Sequence, residues 1–176
     1  MAILRITGGS AKGRELASVP DKRVRPTQSL VRQSIFNIIE IHEKSFLELF
    51  CGSAVVSLEA LSRGATRAAA VDISFEAVRT ARRNAQILGF ALTVKRKDFR
   101  RFLFSCEEVF DIIFADPPYN RGFVQELVRV VAQRNVFKEF LIIQKDKREE
   151  YFLPKQLMLV DSKKYGDTEV LFIKRC

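Results

Sequence analysis

The chain has 176 residues, 47% of them hydrophobic and 29% charged, a composition that is typical of one globular domain and not of a disordered segment. Lys and Arg number 30 against 21 Asp and Glu, and the formal net charge of +9 favours a polyanionic partner such as a nucleic acid. The three cysteines, Cys51, Cys106 and Cys176, lack CxxC spacing, which argues against a disulfide framework and a zinc site and favours reduced thiols in a cytoplasm.

The first 44 residues are predicted to form a basic arm followed by a covering helix. The arm, LRITGGSAKGRELASVPDKRVRP, reaches glycine too soon for a signal peptide and carries a short predicted strand at Leu4–Thr7. It is either a solvated segment or a binding arm, and both interpretations stay open. The helix RPTQSLVRQSIFNIIEI begins after Thr27, which can cap it. Its apolar residues recur at helical spacing: Leu30, Val31, Ile35, Phe36, Ile38 and Ile39.

From Ser45 onward, predicted strands alternate with predicted helices. The strands are SFLELF, RAAAVD, ALTVKR, FDIIFA and FLIIQ, and the helices are SAVVSLEALSRG, SFEAVRTARRNAQILG, a short piece around Phe99–Phe104, and GFVQELVRVVAQ. The stretch QLMLVDSKKYGDTEVLFIKR is typical of an antiparallel hairpin. This order predicts an α/β fold in which residues 45–176 form a mostly parallel seven-stranded sheet, with helices on both faces and the hairpin at one edge. Residues 1–44 would cover one side of the same structural domain. No apolar stretch approaches the roughly 20 residues that span a bilayer.

Three turns of this sheet carry side chains suited to a nucleoside ligand, because ligands bind beyond the carboxyl ends of parallel strands. In ELFCGSA, Gly52 allows close approach of the backbone and Glu48 suits a positively charged ligand, while the absence of GxGxxG disfavours a pyrophosphate. A plain tight turn is the alternative interpretation of this motif. Asp72 ends the second strand and can either accept from ribose hydroxyls or cap the next helix. Asp98 ends the third strand and can accept from an adenine amino group, with Phe99 covering the ring.

The fourth turn, DPPY, runs from Asp116 to Tyr119 directly after the buried run FDIIFA. Its two prolines fix φ, remove two backbone donors and restrict the residue before each of them, so the loop is predicted to be stiff and extended. Such a loop offers a carboxylate and carbonyl oxygens but almost no N–H groups, which suits the binding of an amino group. We therefore interpret DPPY as a functional loop.

Together, these motifs resemble those of the class I S-adenosylmethionine-dependent methyltransferases, which have a Rossmann-like fold. DPPY is similar to the [NDS]-P-P-[YFW] motif of enzymes that methylate exocyclic amino groups of bases. The resemblance covers nearly the whole chain. It is most specific to the bacterial 16S ribosomal RNA guanine-N2 methyltransferase family of RsmD type, through RITGGSAKGREL, RPTQSLVRQSIFN, LELFCGSAVVSLEALSRGA, FDIIFADPPY and YGDTEVLFI.

The resemblance implies a role for each matching position. Glu48 and Gly52 would lie around the methionine part of the cofactor S-adenosylmethionine. Asp72 would bind its ribose, and Asp98 with Phe99 would contact its adenine. The expected cofactor-binding residues also include Ser53 and Ile73. A segment that folds over the cofactor and the target base would include Arg25, Pro26 and Thr27. The catalytic loop would consist of Asp116, Pro117, Pro118 and Tyr119.

The chain departs from the family pattern in two segments. After RPT, where the family usually carries acidic residues, this chain has Gln28, Ser29 and Gln33. Ala54 and Ser57 stand in GSAVVSLEA, where the family usually has glycines in GSGALGLEA. A methyl group at Ala54 is expected to crowd the cofactor or to require a negative φ. This departure keeps open a degenerate, non-enzymatic RNA-binding protein on the same fold.

The implied reaction is transfer of a methyl group from S-adenosylmethionine to the exocyclic N2 of a guanine in 16S ribosomal RNA, either as naked RNA or within an assembling small subunit. Asp116 and the Pro117 carbonyl would accept from the amine, while Tyr119 would stack on the base. The RNA backbone would be held by Arg5, Lys12, Arg14, Arg23 and Arg32. A DNA adenine-N6 methyltransferase would use the same loop and is the other alternative. We expect a cytoplasmic monomer with no metal and no membrane partner.

Overall fold

The computed structural model describes residues 4–20 and 28–176, and these form nine strands and five helices. The strands are β1 (Leu4–Arg5), β2 (Glu15–Leu16), β3 (Ser45–Leu49), β4 (Arg67–Asp72), β5 (Leu92–Arg96), β6 (Phe110–Ala115), β7 (Phe137–Asp146), β8 (Leu157–Tyr165) and β9 (Thr168–Arg175). The helices are α1 (Ser29–Ile38), α2 (Val55–Ser62), α3 (Phe75–Leu88), α4 (Phe99–Ser105) and α5 (Phe123–Gln133). Among the described residues, no helix is both long and apolar enough to cross a membrane.

Strands β3 to β9 form one seven-stranded sheet in the order β5-β4-β3-β6-β7-β9-β8. The five strands from β3 to β7 pair in parallel, and β9 lies antiparallel between β7 and β8. The predicted mostly parallel sheet and its C-terminal hairpin are confirmed. The strand order reverses between β3 and β6, whose register places Leu49 beside Ala115. The turns after these two strands therefore open side by side at one edge of the sheet, where such folds bind ligands.

At the centre of the sheet both faces are buried, and successive residues of a strand pack into different clusters because they point to opposite faces. On β3, Leu47 packs in a cluster with α4 and α5, whereas Phe46 packs in a second cluster with α1 and α2. On β6, Ile113 belongs to the first cluster and Ile112 to the second. The central strands β3 and β6 read as continuous apolar runs because neither of their faces meets water, whereas β5 and β8 are partly exposed.

Helix α1 differs in detail from its prediction. Its N-cap is Gln28, whose side chain makes no capping hydrogen bond, and the predicted cap, Thr27, lies outside the described residues. Of the six apolar positions in the expected stripe, Leu30 and Ile38 are exposed and the other four are buried. The stripe that packs on the sheet is therefore narrower than predicted.

Residues 4–20 pack against α2 and are not a solvated segment. Thr7 donates from its N–H and its hydroxyl to the two carboxylate oxygens of Glu59, at 2.9 and 2.6 Å. Gly9 has a φ of 77° and lies so close to α2 that a Cβ atom there would stand 1.8 Å from the carbonyl oxygen of Ser62. Only glycine fits this approach. Strand β2 is absent from the sequence prediction, because two residues carry no readable period.

Candidate active site at the carboxyl ends of the strands

The turn after β3 has three residues in the left-handed region. Phe50, Gly52 and Ala54 have φ values of 56, 52 and 57°. The N–H of Ala54 donates to the Cys51 carbonyl oxygen at 2.7 Å and closes the turn. The expectation of a negative φ at Ala54 is therefore wrong. The alanine adopts the backbone that a glycine would have, at a cost of about 1–2 kcal/mol for a residue with a Cβ atom.

Glu48 lies beneath this turn. It is 3% exposed, and its Oε2 accepts from the N–H of Ser57, the third residue of α2, at 2.7 Å. The N-cap residue Ala54 has no side-chain acceptor, so Glu48 caps α2 from the neighbouring strand. Burial raises the pKa of Glu48 to about 8, and the negative charge of Asp116 acts in the same direction. Glu48 thus shapes the turn from within, and its direct contact with a ligand stays a prediction.

Asp72 joins the first turn to the second. Its Oδ2 accepts from the N–H of Gly52 at 2.9 Å, and its Oδ1 accepts from the N–H of Ser74 at 2.8 Å. Each carboxylate oxygen has a further lone pair, and the side chain is only partly buried, so both oxygens can accept from a ligand as well. Ile73 beside it is 65% exposed and offers an apolar surface at the rim. Ser53 is buried, and its carbonyl oxygen accepts from Asn84 at 3.1 Å.

Asp98 and Phe99 occupy the third turn. Asp98 caps α4, because its Oδ1 accepts from the N–H of Arg100 at 2.9 Å, and the Arg100 guanidinium also pairs with its Oδ2 at 2.8 Å. The hydrogen bond from Arg100 lowers the pKa of the Asp98 carboxyl. The Phe99 ring is 4% exposed and lies 4.9 Å from the ring of Phe50. The expectation that this ring covers an adenine therefore needs correction, since the ring belongs to the core.

The DPPY loop follows β6, and one side chain of β7 holds both of its ends. Gln144 Nε2 donates to Asp116 Oδ2 at 3.0 Å and contacts Tyr119 Oη at 3.1 Å. Tyr119 Oη also lies 3.4 Å from Thr168 Oγ1. Burial and the charge of Asp116 raise the pKa of Tyr119, so its phenol stays neutral. The loop thus presents a fixed, partly exposed carboxylate at the sheet edge where the turns after β3 and β6 lie side by side, here called the crevice.

The segment after β7 supports this loop from behind. Asn120 has a φ of 56° and donates its N–H to Glu149 Oε2 at 3.0 Å. Glu149 is fixed in turn, since its carbonyl oxygen accepts from the buried Lys145 Nζ at 2.9 Å. Within the loop, Pro117 is buried and Pro118 is exposed. These contacts make the loop part of a rigid framework.

The family and its relatives agree with this geometry. Residues 4–174 match the family described as conserved hypothetical protein 95. The chain belongs to this family. Its resemblance to the class I methyltransferases of RsmD type is thereby confirmed.

YlbH of Bacillus subtilis (strain 168) is 33% identical over 184 residues, which cover 98% of this chain and 99% of YlbH. The ribosomal RNA small subunit methyltransferase D of Escherichia coli (strain K12) is 29% identical over 154 residues, 86% of this chain and 78% of the relative. The solved structure of yhhF from Escherichia coli has a TM-score of 0.88 and 26% identity, and the match covers 99% of this chain and 98% of yhhF.

The structure of this methyltransferase corrects one expected RNA contact. Arg32 is 1% exposed, its Nε lies 3.6 Å from Glu59 Oε2, and its guanidinium donates to the Arg5 carbonyl oxygen at 2.6 Å. A buried guanidinium cannot reach a phosphate. Arg32 instead joins α1 to β1 and α2, and the expectation that it holds the RNA backbone is wrong.

The other expected RNA contacts are dispersed. Arg5 is exposed and forms an ion pair with Glu15. The turn between β1 and β2, which carries Lys12, packs on the end of α2 that is farther from the crevice. Arg14 donates to the carbonyl oxygen of Ile87, near the far end of α3. Arg23, Arg25, Pro26 and Thr27 lie outside the described residues.

Two residues of the methyltransferase were missed by sequence reasoning. The sequence predicts Gln144 only as the end of the strand FLIIQ, and the signal for a role is that one polar residue closes an apolar run. Glu59 was assigned only to a helix, although it is a carboxylate in an apolar segment with Arg63 four residues later. Two partners of Glu59, Thr7 after β1 and Arg32 of α1, could not be inferred from local spacing.

Proposed function

We propose that the protein transfers a methyl group from S-adenosylmethionine to the exocyclic N2 of a guanine in 16S ribosomal RNA. The observation that carries this proposal is the Asp116 carboxylate, held by Gln144 on a loop with two prolines, beside the turn that links Gly52 to Asp72. Such a loop accepts hydrogen bonds and donates almost none, which matches an amine and not a phosphate or a carboxylate.

The residues of the crevice fit S-adenosylmethionine. The Asp72 carboxylate has lone pairs for two ribose hydroxyls, and the exposed Ile73 side chain offers an apolar surface for the adenine. At Gly52 the closed left-handed turn presents backbone without a side chain, which allows a ligand to approach closely. Asp98 contributes an acceptor for an adenine amino group. When bound, this cofactor supplies a methyl group that is already activated by its sulfonium.

The catalytic task of the chain is to position a weak nucleophile. The lone pair of an exocyclic guanine amine is delocalised into the ring, so the amine must be oriented and made more tetrahedral. The Asp116 carboxylate accepts one N–H of the amine and the Pro117 carbonyl oxygen accepts the other, which aims the lone pair into the crevice. The bound cofactor would supply the methyl group and keep the electrons of its carbon–sulfur bond, and the proton of the methylated amine would pass to water. Tyr119 stacks on the base that has been turned out of its helix.

Ribosomal RNA is the partner that the net charge of +9 and the named relatives support. Arg5, Lys12 and Arg14 are exposed and can contact phosphates. Lys12 and Arg14 would contact phosphates at some distance from Asp116. We further propose that the protein acts as a monomer in the cytoplasm on an assembling small subunit, where the target guanine is still accessible.

Mass spectrometry of small-subunit ribosomal RNA tests the proposal. Cells that lack the gene should lose one N2-methylguanosine, and the purified full-length protein should restore it with radiolabelled S-adenosylmethionine. Naked 16S RNA, partly assembled particles and duplex DNA are offered in parallel as substrates. Transfer to DNA alone would favour the adenine-N6 alternative, and failure to bind S-adenosylmethionine would favour a non-enzymatic RNA-binding protein.

A further inference from the structure

We propose that Gln144 is a positioning residue for the transfer reaction, whose single amide nitrogen sets the Asp116 carboxylate and the Tyr119 phenol relative to each other. This inference rests on the proposed function and adds a residue outside the DPPY motif to it. Gln144 Nε2 lies 3.0 Å from Asp116 Oδ2 and 3.1 Å from Tyr119 Oη. One nitrogen atom therefore contacts the first and the last residue of the loop.

The chemistry of the partners fixes which way the amide faces. An ionised carboxylate can only accept, so the NH₂ group of Gln144 must point toward Asp116. Its second N–H is then directed to Tyr119 Oη, which accepts and keeps its own hydrogen for Thr168 Oγ1, 3.4 Å away. The result is an ordered set of hydrogen bonds that connects Thr168, Tyr119, Gln144 and Asp116.

The strand that carries Gln144 makes the arrangement rigid. β7 is paired on both sides, with β6 and with β9, and Gln144 is in register with the buried Val170. Asp116 and Tyr119, by contrast, lie on a loop. A functional group on a loop is held in place best when a neighbouring strand supports it. Gln144 supplies that support from the interior of the sheet.

A buried glutamine at this position lowers the stability of the folded protein, which indicates that Gln144 does not serve packing alone. Gln144 is 6% exposed, and its Oε1 is buried with no hydrogen-bond partner in the described part of the chain. A buried acceptor without a partner destabilises the folded state, and an apolar side chain of the same length would remove that cost. What an apolar side chain could not do is donate to Asp116 and Tyr119.

The first test compares Gln144→Met with the wild-type protein. We expect kcat for RNA methylation to fall by about 10- to 100-fold, because small errors in the position of reacting groups cost that much. The affinity for S-adenosylmethionine by calorimetry and the melting temperature should not fall. The second test, below, uses Gln144→Glu, and its control is Gln133→Glu. Gln133 lies at the exposed end of α5, away from the crevice.

The second test is the pH profile of Gln144→Glu. Two carboxyl groups at hydrogen-bond distance share a proton at low pH, and the introduced carboxylic acid can then donate to Asp116. As the pH rises and that proton is lost, the donor disappears and the two charges repel. The activity of Gln144→Glu relative to wild type should therefore decline with pH, whereas that of Gln133→Glu should not.

The outcomes separate this inference from the proposed function. A Gln144→Met protein with wild-type kcat, or one whose kcat falls only together with melting temperature and cofactor affinity, would overturn the positioning role while the proposed function stands. A flat pH profile for Gln144→Glu would do the same. A wild-type protein that methylates no RNA would overturn both.

Discussion

The N–H of Gly52 donates to Asp72 Oδ2 at 2.9 Å, although 20 residues separate the two in the chain. One carboxylate thereby fixes the shape of the first turn and faces the position proposed for the ribose. The same residue accepts from Ser74 N–H, so the cap of the following helix and the ligand site depend on a single side chain.

Substitution of Asp72 by alanine is expected to weaken the affinity for S-adenosylmethionine by about 10- to 100-fold. Hydrogen bonds from the ribose to a charged acceptor are lost, and the loss of one such bond, worth about 1.5–3 kcal/mol, already accounts for this range. Isothermal calorimetry measures the effect. Asp161→Ala is the matched control, because Asp161 lies on the edge strand β8 and pairs with Lys163 at the surface. An unchanged affinity in Asp72→Ala would remove the ribose assignment.

The Asp116→Ala variant should bind S-adenosylmethionine almost normally and transfer methyl groups about 100-fold more slowly, since a reacting group misplaced by about 1 Å costs roughly 10²-fold. Single-turnover transfer to 16S RNA measures the rate, and calorimetry measures the binding. Asp116→Asn keeps one acceptor oxygen and should retain part of the activity. Full activity in the alanine variant would refute the proposed role of the loop.

Glu48 should make stability depend on pH. Its pKa is raised to about 8 in the folded protein from an ordinary value of 4.5, so the folded state holds a proton that the unfolded state loses. Its contribution is complete below pH 4.5 and is lost as the pH rises to 8, at no more than about 1.4 kcal/mol per pH unit. Glu48→Gln can still accept from Ser57 and does not titrate. Its melting temperature relative to wild type should rise between pH 5 and 8, and a constant difference would contradict the raised pKa.

Arg32→Ala should destabilise the fold by about 3–5 kcal/mol, because it leaves the buried Glu59 without one of its cations. Arg5→Ala is the matched control, since its ion pair with Glu15 is exposed and worth about 0–1 kcal/mol. Urea unfolding measures both variants. If Arg32→Ala were as stable as wild type and bound RNA more weakly, the original assignment of Arg32 to RNA would be restored.

Ala54→Gly tests the strained turn. Glycine adopts a φ of 57° freely, so the variant should be more stable by about 0.5–1 kcal/mol once the greater freedom of the unfolded chain is included. Ala85→Gly, in the interior of α3, should instead be less stable by about 1 kcal/mol. Calorimetry on Ala54→Gly also shows whether the methyl group crowds the cofactor, because a marked gain in affinity would mean that it does.

The sequence predicted the elements whose signals are local. Helix α3 begins at the cap Ser74, whose Oγ accepts from Ala77 N–H, and ends at Gly89 with a φ of 70°. The five predicted strands from β3 to β7 became the five parallel strands, and the central ones, β3 and β6, are continuous apolar runs because both of their faces are buried. Asp72 and Asp116 were placed at strand ends from the chain order alone, since parallel strands bring their carboxyl ends to one edge.

Tertiary structure alone decided which of the expected site residues are buried by contacts within the fold and which side chains support the site. Arg32 looked like a surface cation until Glu59, from another helix, was placed beside it. Phe99 looked like a cover for a base until Phe50 packed against it. Gln144 acquired its role because β7 lies next to β6 and faces Asp116 across 28 residues of chain. Periodicity and turn chemistry depend on a few neighbouring residues and are therefore written in the sequence, whereas burial and pairing depend on contacts between distant segments that only the folded chain creates.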